Sequence, residues 1–207
     1  SYVITVKAVA KDGNKELSCV VEKTITMGYF ISDLASLESI SSHLSELCIV
    51  TSDIDASGLS ESISNFTGVF DGGYYTISGL KKPLFDNLTG AMVKNVMLTT
   101  VQIEQSGKVG AIAGVAEGYS RIYNCGILPS NNKYESETSY VSSSDDYCGG
   151  LVGWLKDDSR VINCFSFANI KGGTDVAGIV GHVEAITTDE YGSYASTTEV
   201  SDGKYYR

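Results

Sequence analysis

The sequence predicts an all-β chain in which short strands stack as successive turns of a parallel coil, with one capping α-helix and an N-terminal β-hairpin fragment. Three observations predict it. A phrase of six residues recurs as Val109-Gly110-Ala111-Ile112-Ala113-Gly114, Cys148-Gly149-Gly150-Leu151-Val152-Gly153 and Val176-Ala177-Gly178-Ile179-Val180-Gly181. Asn124 and Asn163 each stand ten residues after Gly114 and Gly153, and Asn95 stands ten after Phe85 in a weaker first copy. The apolar pieces are short, rich in Val and Ile, and broken by Gly, Asn and Ser, which is strand spacing rather than helix spacing. A unit this small cannot bury its own apolar face, so it stacks on copies of itself.

Residues 1–27 open the chain. Tyr2 to Ala10 alternates, breaks at Asp12-Gly13-Asn14 and resumes as strand-like Ser18 to Met27, a hairpin pattern. Residues 28–48 hold the one good helix candidate and an entry strand. Ser32 can cap that helix, Asp33 sits in its first turn, and Leu34, Leu37, Ile40 and Leu44 recur at helical spacing. Its expected job is to cover the open end of the coil, whose unpaired strand edges would otherwise invite aggregation. Residues 49–183 form the coil, and 184–207 read as an irregular tail or last partial coil. The start at Ser1-Tyr2-Val3, with no leader pattern, reads as a mature or excised piece.

Within the coil the copies fix one another's register. Leu151 is expected between Ile112 and Ile179, and Val93, Ile122 and Val161 form a second internal column. The glycines, Gly114, Gly153 and Gly181 among them, mark corners or close backbone approaches. Asn95, Asn124 and Asn163 either stack as a ladder of amides about 4.8 Å apart or simply occupy left-handed turn positions. From Gly114 to Gly153 is 39 residues, against 28 from Gly153 to Gly181, which places about ten surplus residues in 129–147. Cys125 and Cys164 share a frame position, and Cys148 replaces the valine at 109 and 176. These are therefore expected to be free, buried thiols rather than a disulfide framework or a zinc site.

The glycine phrases, paired with Arg121-Ile122-Tyr123-Asn124-Cys125 and Arg160-Val161-Ile162-Asn163-Cys164, resemble the GLUG repeats of bacterial surface proteins. The lead-in Asp53-Ile54-Asp55, Phe66-Thr67-Gly68-Val69-Phe70-Asp71-Gly72-Gly73, Tyr75-Thr76-Ile77-Ser78-Gly79-Leu80 and Leu84-Phe85 is similar to the segment that precedes such repeats. The resemblance covers roughly residues 30–183. It implies a right-handed parallel β-helix on a secreted or surface-anchored bacterial protein, commonly an adhesin. The Tyr-x-Ile-x-Val-x-Ala strand at the start resembles the last two strands of a fibronectin type III domain.

A net charge of -10 opposes nucleic acid and anionic membrane as partners. No run of roughly 18 apolar residues exists to span a bilayer. The function expected is a non-catalytic binding or adhesion module, extracellular or at the cell surface and monomeric. Its partner would be a host glycan, a surface protein or a neighbouring domain of the same chain, and no cofactor or metal is expected. Tyr134, Tyr140 and Tyr147, with Asp145 and Asp146 in the insertion, are the candidate binding residues, since tyrosine offers a flat apolar face and a hydroxyl. Trp154 joins them, with Val115 and His182 as frame partners. The alternative is a carbohydrate-active lyase or hydrolase, for which Asp53, Asp55 and Asp71 are the nearest thing to converging carboxylates. No catalytic residue is singled out.

Overall fold

A computed structural model describes residues 28–129, 138–145 and 147–184, and the backbone of the strands Tyr2–Ala8 and Cys19–Ile25. Tyr2–Ala8 and Cys19–Ile25 pair antiparallel, as the hairpin pattern predicts. Everything else that pairs is parallel. The fold is thus all-β with mostly parallel sheets and, among the described residues, a single short α-helix.

The six-stranded sheet runs through Tyr29–Ile31, Leu47–Val50, Val69–Asp71, Met92–Lys94, Arg121–Tyr123 and Arg160–Ile162 in chain order. A five-stranded sheet orders Ile54–Asp55, Thr76–Ser78, Met97–Thr99, Gly126–Ile127 and Phe165–Ser166 in the same way. A four-stranded sheet does so with Phe85–Thr89, Ala113–Glu117, Val152–Leu155 and Val180–Val183. Each strand pairs with its counterpart in the next copy, so identical inward positions lie over one another. Val93, Ile122 and Val161 make one column, with Phe70 and Cys48 before them. Leu151 receives the N–H of Ile112 on its carbonyl and donates its own N–H to Ile179, as expected.

The core is the sum of these columns. Phe66, Phe70 and Phe85 are fully buried and meet at ring separations of 5.0 to 6.5 Å. Further along, Ile103, Ile112, Ile122, Ile127 and Leu151 fill the same interior. In the last copy the equivalent Val161, Ile170 and Ile179 are only partly buried.

Three expectations change in detail. The helix is only Leu34–Glu38, continued by a tight 3-10 turn over Ser39–Ser42, and its cap is Asp33 rather than Ser32. Asp33 accepts from the Ser36 N–H while the Ser36 hydroxyl accepts from the Asp33 N–H, a reciprocal cap that Ser32 could match only one residue out of register. Leu37 and Ile40 are buried, so the segment does close over the core. Phe85 pairs with Ala113, not with the neighbouring Gly114, because the inward side of the strand takes the phenyl ring.

The surplus is also narrower than 129–147. Leu98 pairs with Ile127 and Gln102 with Tyr140, so four positions in one copy correspond to thirteen in the next, and the extra chain lies between 127 and 140. Tyr140–Ser143 itself is a regular strand between Gln102–Gln105 and Asn169–Lys171.

Candidate functional site

The glycine phrases build corners, and at one corner two columns of side chains come face to face. Val109 pairs with Cys148 and Cys148 with Val176, which places Lys108, Tyr147 and Asp175 in one column. Val115 pairs with Trp154 and Trp154 with His182, giving the second. Seven residues separate the two members in each copy: Lys108 and Val115, Tyr147 and Trp154, Asp175 and His182. The columns can approach because glycine stands just before the second member in the later copies, at Gly153 and Gly181. A Cβ on Gly153 would stand 2.4 Å from the Val109 nitrogen, and one on Gly181 would stand 2.7 Å from the Cys148 nitrogen.

The result is a half-exposed aromatic ledge. Tyr147 stacks on His182 with ring centres 4.3 Å apart and planes 21° from parallel. It tilts against Trp154 at 5.7 Å, and Trp154 meets His182 edge-on at 6.3 Å. The Asp175 carboxylate lies 2.7 Å from His182 Nδ1 and fixes the ring. Two ammonium groups flank the indole: Lys108 Nζ at 4.9 Å and Lys156 Nζ at 4.8 Å from the ring centre, within cation–π range. Lys156 also pairs with Glu117 at 2.8 Å, and that hydrogen bond holds it above the ordinary lysine value. The Trp154 indole N–H is buried and has no acceptor among the described residues.

Of the residues expected to bind, the fold brings together Tyr147 and Trp154. Tyr140 belongs to a strand of a different sheet, facing register partners Gln102 and Asn169. Asp145 is turned to backbone work, its carboxylate accepting from the Gly107 N–H at 2.8 Å. Tyr134 and Asp146 lie outside the described residues. Lys108, Lys156 and Asp175 were not expected, although the constant spacing of seven residues across the corner carries the signal for Lys108 and Asp175.

A second arrangement runs along the six-stranded sheet. Asn163 Nδ2 donates to Asn124 Oδ1 at 2.7 Å, Asn124 Nδ2 to Asn95 Oδ1 at 3.4 Å, and Asn95 Nδ2 to Asp71 Oδ1 at 2.9 Å. All three asparagines have φ of 53° to 55°, so the ladder and the left-handed turn are one feature rather than alternatives. Burial alone would raise the Asp71 carboxyl, but hydrogen bonds from Asn95, Lys94 and the Gly73 N–H outweigh it and hold the group below the usual carboxylate range. A carboxyl with a folded value below its unfolded one stabilises the protein above about pH 4 and loses that contribution as pH falls through the folded value. The stability lost between pH 7 and pH 3 is therefore expected to be about 1 kcal/mol smaller in Asp71→Asn than in the wild type. Denaturant titrations at pH 7 and pH 3 measure this, and equal pH dependence in the two proteins contradicts it.

The cysteines behave as small core residues: Cys48, Cys125 and Cys148 are buried and free, and Cys164 is free and partly exposed. The Cys125 thiol donates to the Tyr123 carbonyl and the Cys164 thiol to the Ile162 carbonyl, and contact with the neighbouring Cys125 thiol holds Cys164 below the ordinary cysteine value. The same contact, with burial, raises Cys125. Asp53 and Asp55 do not converge on an open face. Asp53 accepts from the Thr76 N–H of the next copy, and Asp55 accepts from the Ser57 N–H, closing a turn.

Comparison with known proteins places this geometry in an unexpected setting. The family described as the M26 IgA1-specific metallo-endopeptidase N-terminal region matches residues 52–127. An immunoglobulin A1 protease of Streptococcus sanguinis is 33% identical over 125 residues, 58% of this chain and 6% of the relative. An immunoglobulin A1 protease of Streptococcus pneumoniae is 28% identical over 148 residues, 65% of this chain and 7% of the relative. The zinc metalloprotease ZmpC of Streptococcus pneumoniae is 26% identical over 174 residues, 75% of this chain and 9% of the relative. The chain thus spans less than a tenth of the length of these relatives. No solved structure matches.

These matches overturn two expectations. The resemblance to GLUG-repeat proteins gives way to the M26 N-terminal region, and no comparison carries the fibronectin type III likeness of the leading hairpin. The non-catalytic adhesin reading, its denial of enzyme character and its lyase or hydrolase alternative give way to relatives named as peptidases. The zinc that one of those names implies finds no fit here. The sequence has two histidines, His43 followed by Leu44 and His182 followed by Val183, so it lacks an H-E-x-x-H helix motif. His43 lies 3.1 Å from Glu46 and His182 2.7 Å from Asp175, and among the described residues no third His, Cys, Asp or Glu completes either group.

Proposed function

We propose that this chain is a segment of an immunoglobulin A1 protease-like metallopeptidase, from its N-terminal region. The match of residues 52–127 to that region carries the reading, and relatives bearing the same name align over more than half of the chain. The segment serves the peptidase by engaging its protein substrate outside the cell, with the zinc ligands supplied by other parts of the whole protein. Its strands wind as a right-handed parallel β-helix. Support for that comes from parallel pairing between successive copies in every sheet of the repeat and from the strong right-handed preference of parallel crossovers. The corner ledge of Tyr147, Trp154 and His182 is the surface assigned to the substrate, because three half-exposed rings and two lysines gather there within contact of one another.

The test uses the whole parent protein and immunoglobulin A1. Cleavage into defined fragments is expected, and Tyr147→Ala with Trp154→Ala is expected to raise KM about tenfold, about 1.4 kcal/mol of binding, with kcat unchanged. An intact immunoglobulin after prolonged incubation contradicts the peptidase reading. An unchanged KM in the double variant contradicts the role assigned to the ledge.

A further inference from the structure

We propose that Cys125 and Cys164 form a two-coordinate site for one soft monovalent cation, copper(I), held between neighbouring copies of the stack. The site stands apart from the ledge and from the peptidase reading.

The two thiols make the same contacts one copy apart. Cys125 Sγ donates to the Tyr123 carbonyl at 3.3 Å and lies 3.9 Å from the Val93 carbonyl oxygen. Cys164 Sγ donates to the Ile162 carbonyl at 3.2 Å and lies 3.8 Å from the Ile122 carbonyl oxygen. Tyr123 and Ile162 are register partners, and so are Val93 and Ile122. The sulfurs are therefore related by one step of the stack, which sets them about 4.8 Å apart, the spacing of neighbouring strands. That step is fixed on both sides of the pair. Asn163 Nδ2 holds Asn124 Oδ1 at 2.7 Å before it, and the Phe165 N–H donates to the Cys125 carbonyl at 3.2 Å after it. Cys48 stands between Tyr29 and Phe70, and Cys148 between Val109 and Val176, so neither has a second sulfur in register.

That separation decides between the chemistries open to two thiols. A disulfide needs sulfurs about 2.05 Å apart on Cβ atoms about 3.8 Å apart, so the copies would have to close on each other. Zinc and iron–sulfur centres take four ligands. Among the described residues no third His, Cys, Asp or Glu joins the pair. Metal–thiolate bonds run about 2.3 Å, so two of them in line span about 4.6 Å. Thiolate selects soft cations, and copper(I), with its filled d shell, is satisfied by two ligands in line. One such ion fits midway between the sulfurs without moving either copy. On loading, the two thiol protons leave to solvent, one cation takes their place, and a single negative charge remains. Cys164 is partly exposed, so the ion has a way in and that charge has water beside it, whereas Cys125 is fully buried. The Cys164 thiol sits below the ordinary cysteine value, so the first proton leaves more readily than from an isolated thiol.

The test titrates the 207-residue chain with copper(I) under nitrogen, with ascorbate as reductant and bicinchoninate as the competing coloured chelator. One ion per chain is expected to be withdrawn from the chelator, and X-ray absorption at the copper edge is expected to show two sulfur neighbours and no nitrogen. Cys164→Ser is expected to weaken binding about a hundredfold, since loss of even an outer partner costs a metal site up to about that much. An unchanged circular dichroism spectrum shows that its stack persists. Cys148→Ala is expected to bind copper(I) as the wild type does. The amides of Arg160 and Phe165, which bridge the two copies, are expected to exchange about tenfold more slowly in the loaded protein. The edge spectrum and the exchange rates are read on the wild type, so a serine variant that fails to fold leaves both measurements in force. No retention of copper(I) against the chelator overturns the proposal. So does a folded Cys164→Ser variant that retains it, loss of binding in Cys148→Ala, three or more ligands at the edge, exchange that copper(I) leaves unaltered, or a Cys125–Cys164 disulfide formed in place of bound copper.

Discussion

Gly153→Ala lowers the melting temperature by about 10 °C, a loss of about 3 kcal/mol in a domain of this size, and Gly178→Ala leaves it within about 1 °C. The two substitutions are chemically identical and sit at neighbouring places in the same repeated phrase. What differs is the space. An added Cβ at 153 meets the Val109 nitrogen at 2.4 Å, the Gly114 oxygen at 2.7 Å and the Lys108 carbonyl carbon at 2.8 Å. All three are backbone atoms held by sheet hydrogen bonds, so none can rotate away as a side chain would. At 178 nothing among the described residues lies within 4 Å. Thermal unfolding of the two variants beside the wild type decides the matter. Equal melting temperatures would show that the corner relaxes and that the glycine phrase is not set by close approach.

Phe85→Ala is expected to cost about 3 to 5 kcal/mol, the range for emptying a fully buried aromatic site. Phe85 packs against Phe66 at 5.0 Å and Phe70 at 5.4 Å, and all three rings are fully buried. Phe66 and Phe70 come from one copy and Phe85 from the next, so the cavity would open between turns, where backbone pairing prevents collapse. Urea unfolding measures the loss through the midpoint at constant slope. A reduced slope would mean instead that the early copies have come apart from the later ones. A cost below about 1 kcal/mol would show that Phe66 and Phe70 refill the space.

The stacking of copies was legible because inward positions repeat: Val93, Ile122 and Val161 fall into one column, and Leu151 falls between Ile112 and Ile179. The asparagine ladder was legible for the same reason. The register of Phe85 was not, because counting back ten residues from Asn95 assumes a corner of constant length, and the first copy has one residue fewer there. The helix cap slipped by one residue because Ser32 and Asp33 are both good caps, and only the Ser36 partner distinguishes them. The ledge was half legible. Tyr147 and Trp154 announce themselves as aromatics, but Lys108 and Asp175 differ in chemistry from Tyr147 at the same frame position, and only the pairing shows that they share a column. The lineage was misread for a physical reason. Glycine at a corner and asparagine at a left-handed turn are what any such stack requires, so they report architecture and are shared by unrelated repeats. No residue pointed to relatives named as peptidases, since neither histidine lies in a metal-binding motif.

The asparagine column has a sense of direction. Every amide in it donates toward the lower residue number, from Asn163 to Asn124 to Asn95, and the last donates to the ionised Asp71. Hydrogen bonds aligned head to tail polarise one another, so the anion at one end strengthens each link above it. A new copy joined after Asn163 would have to present its amide hydrogen, not its oxygen, to extend the row. The row therefore has an anchored root at the Asp71 carboxylate and a tip at Asn163, whose amide orientation is set from the far end of the column.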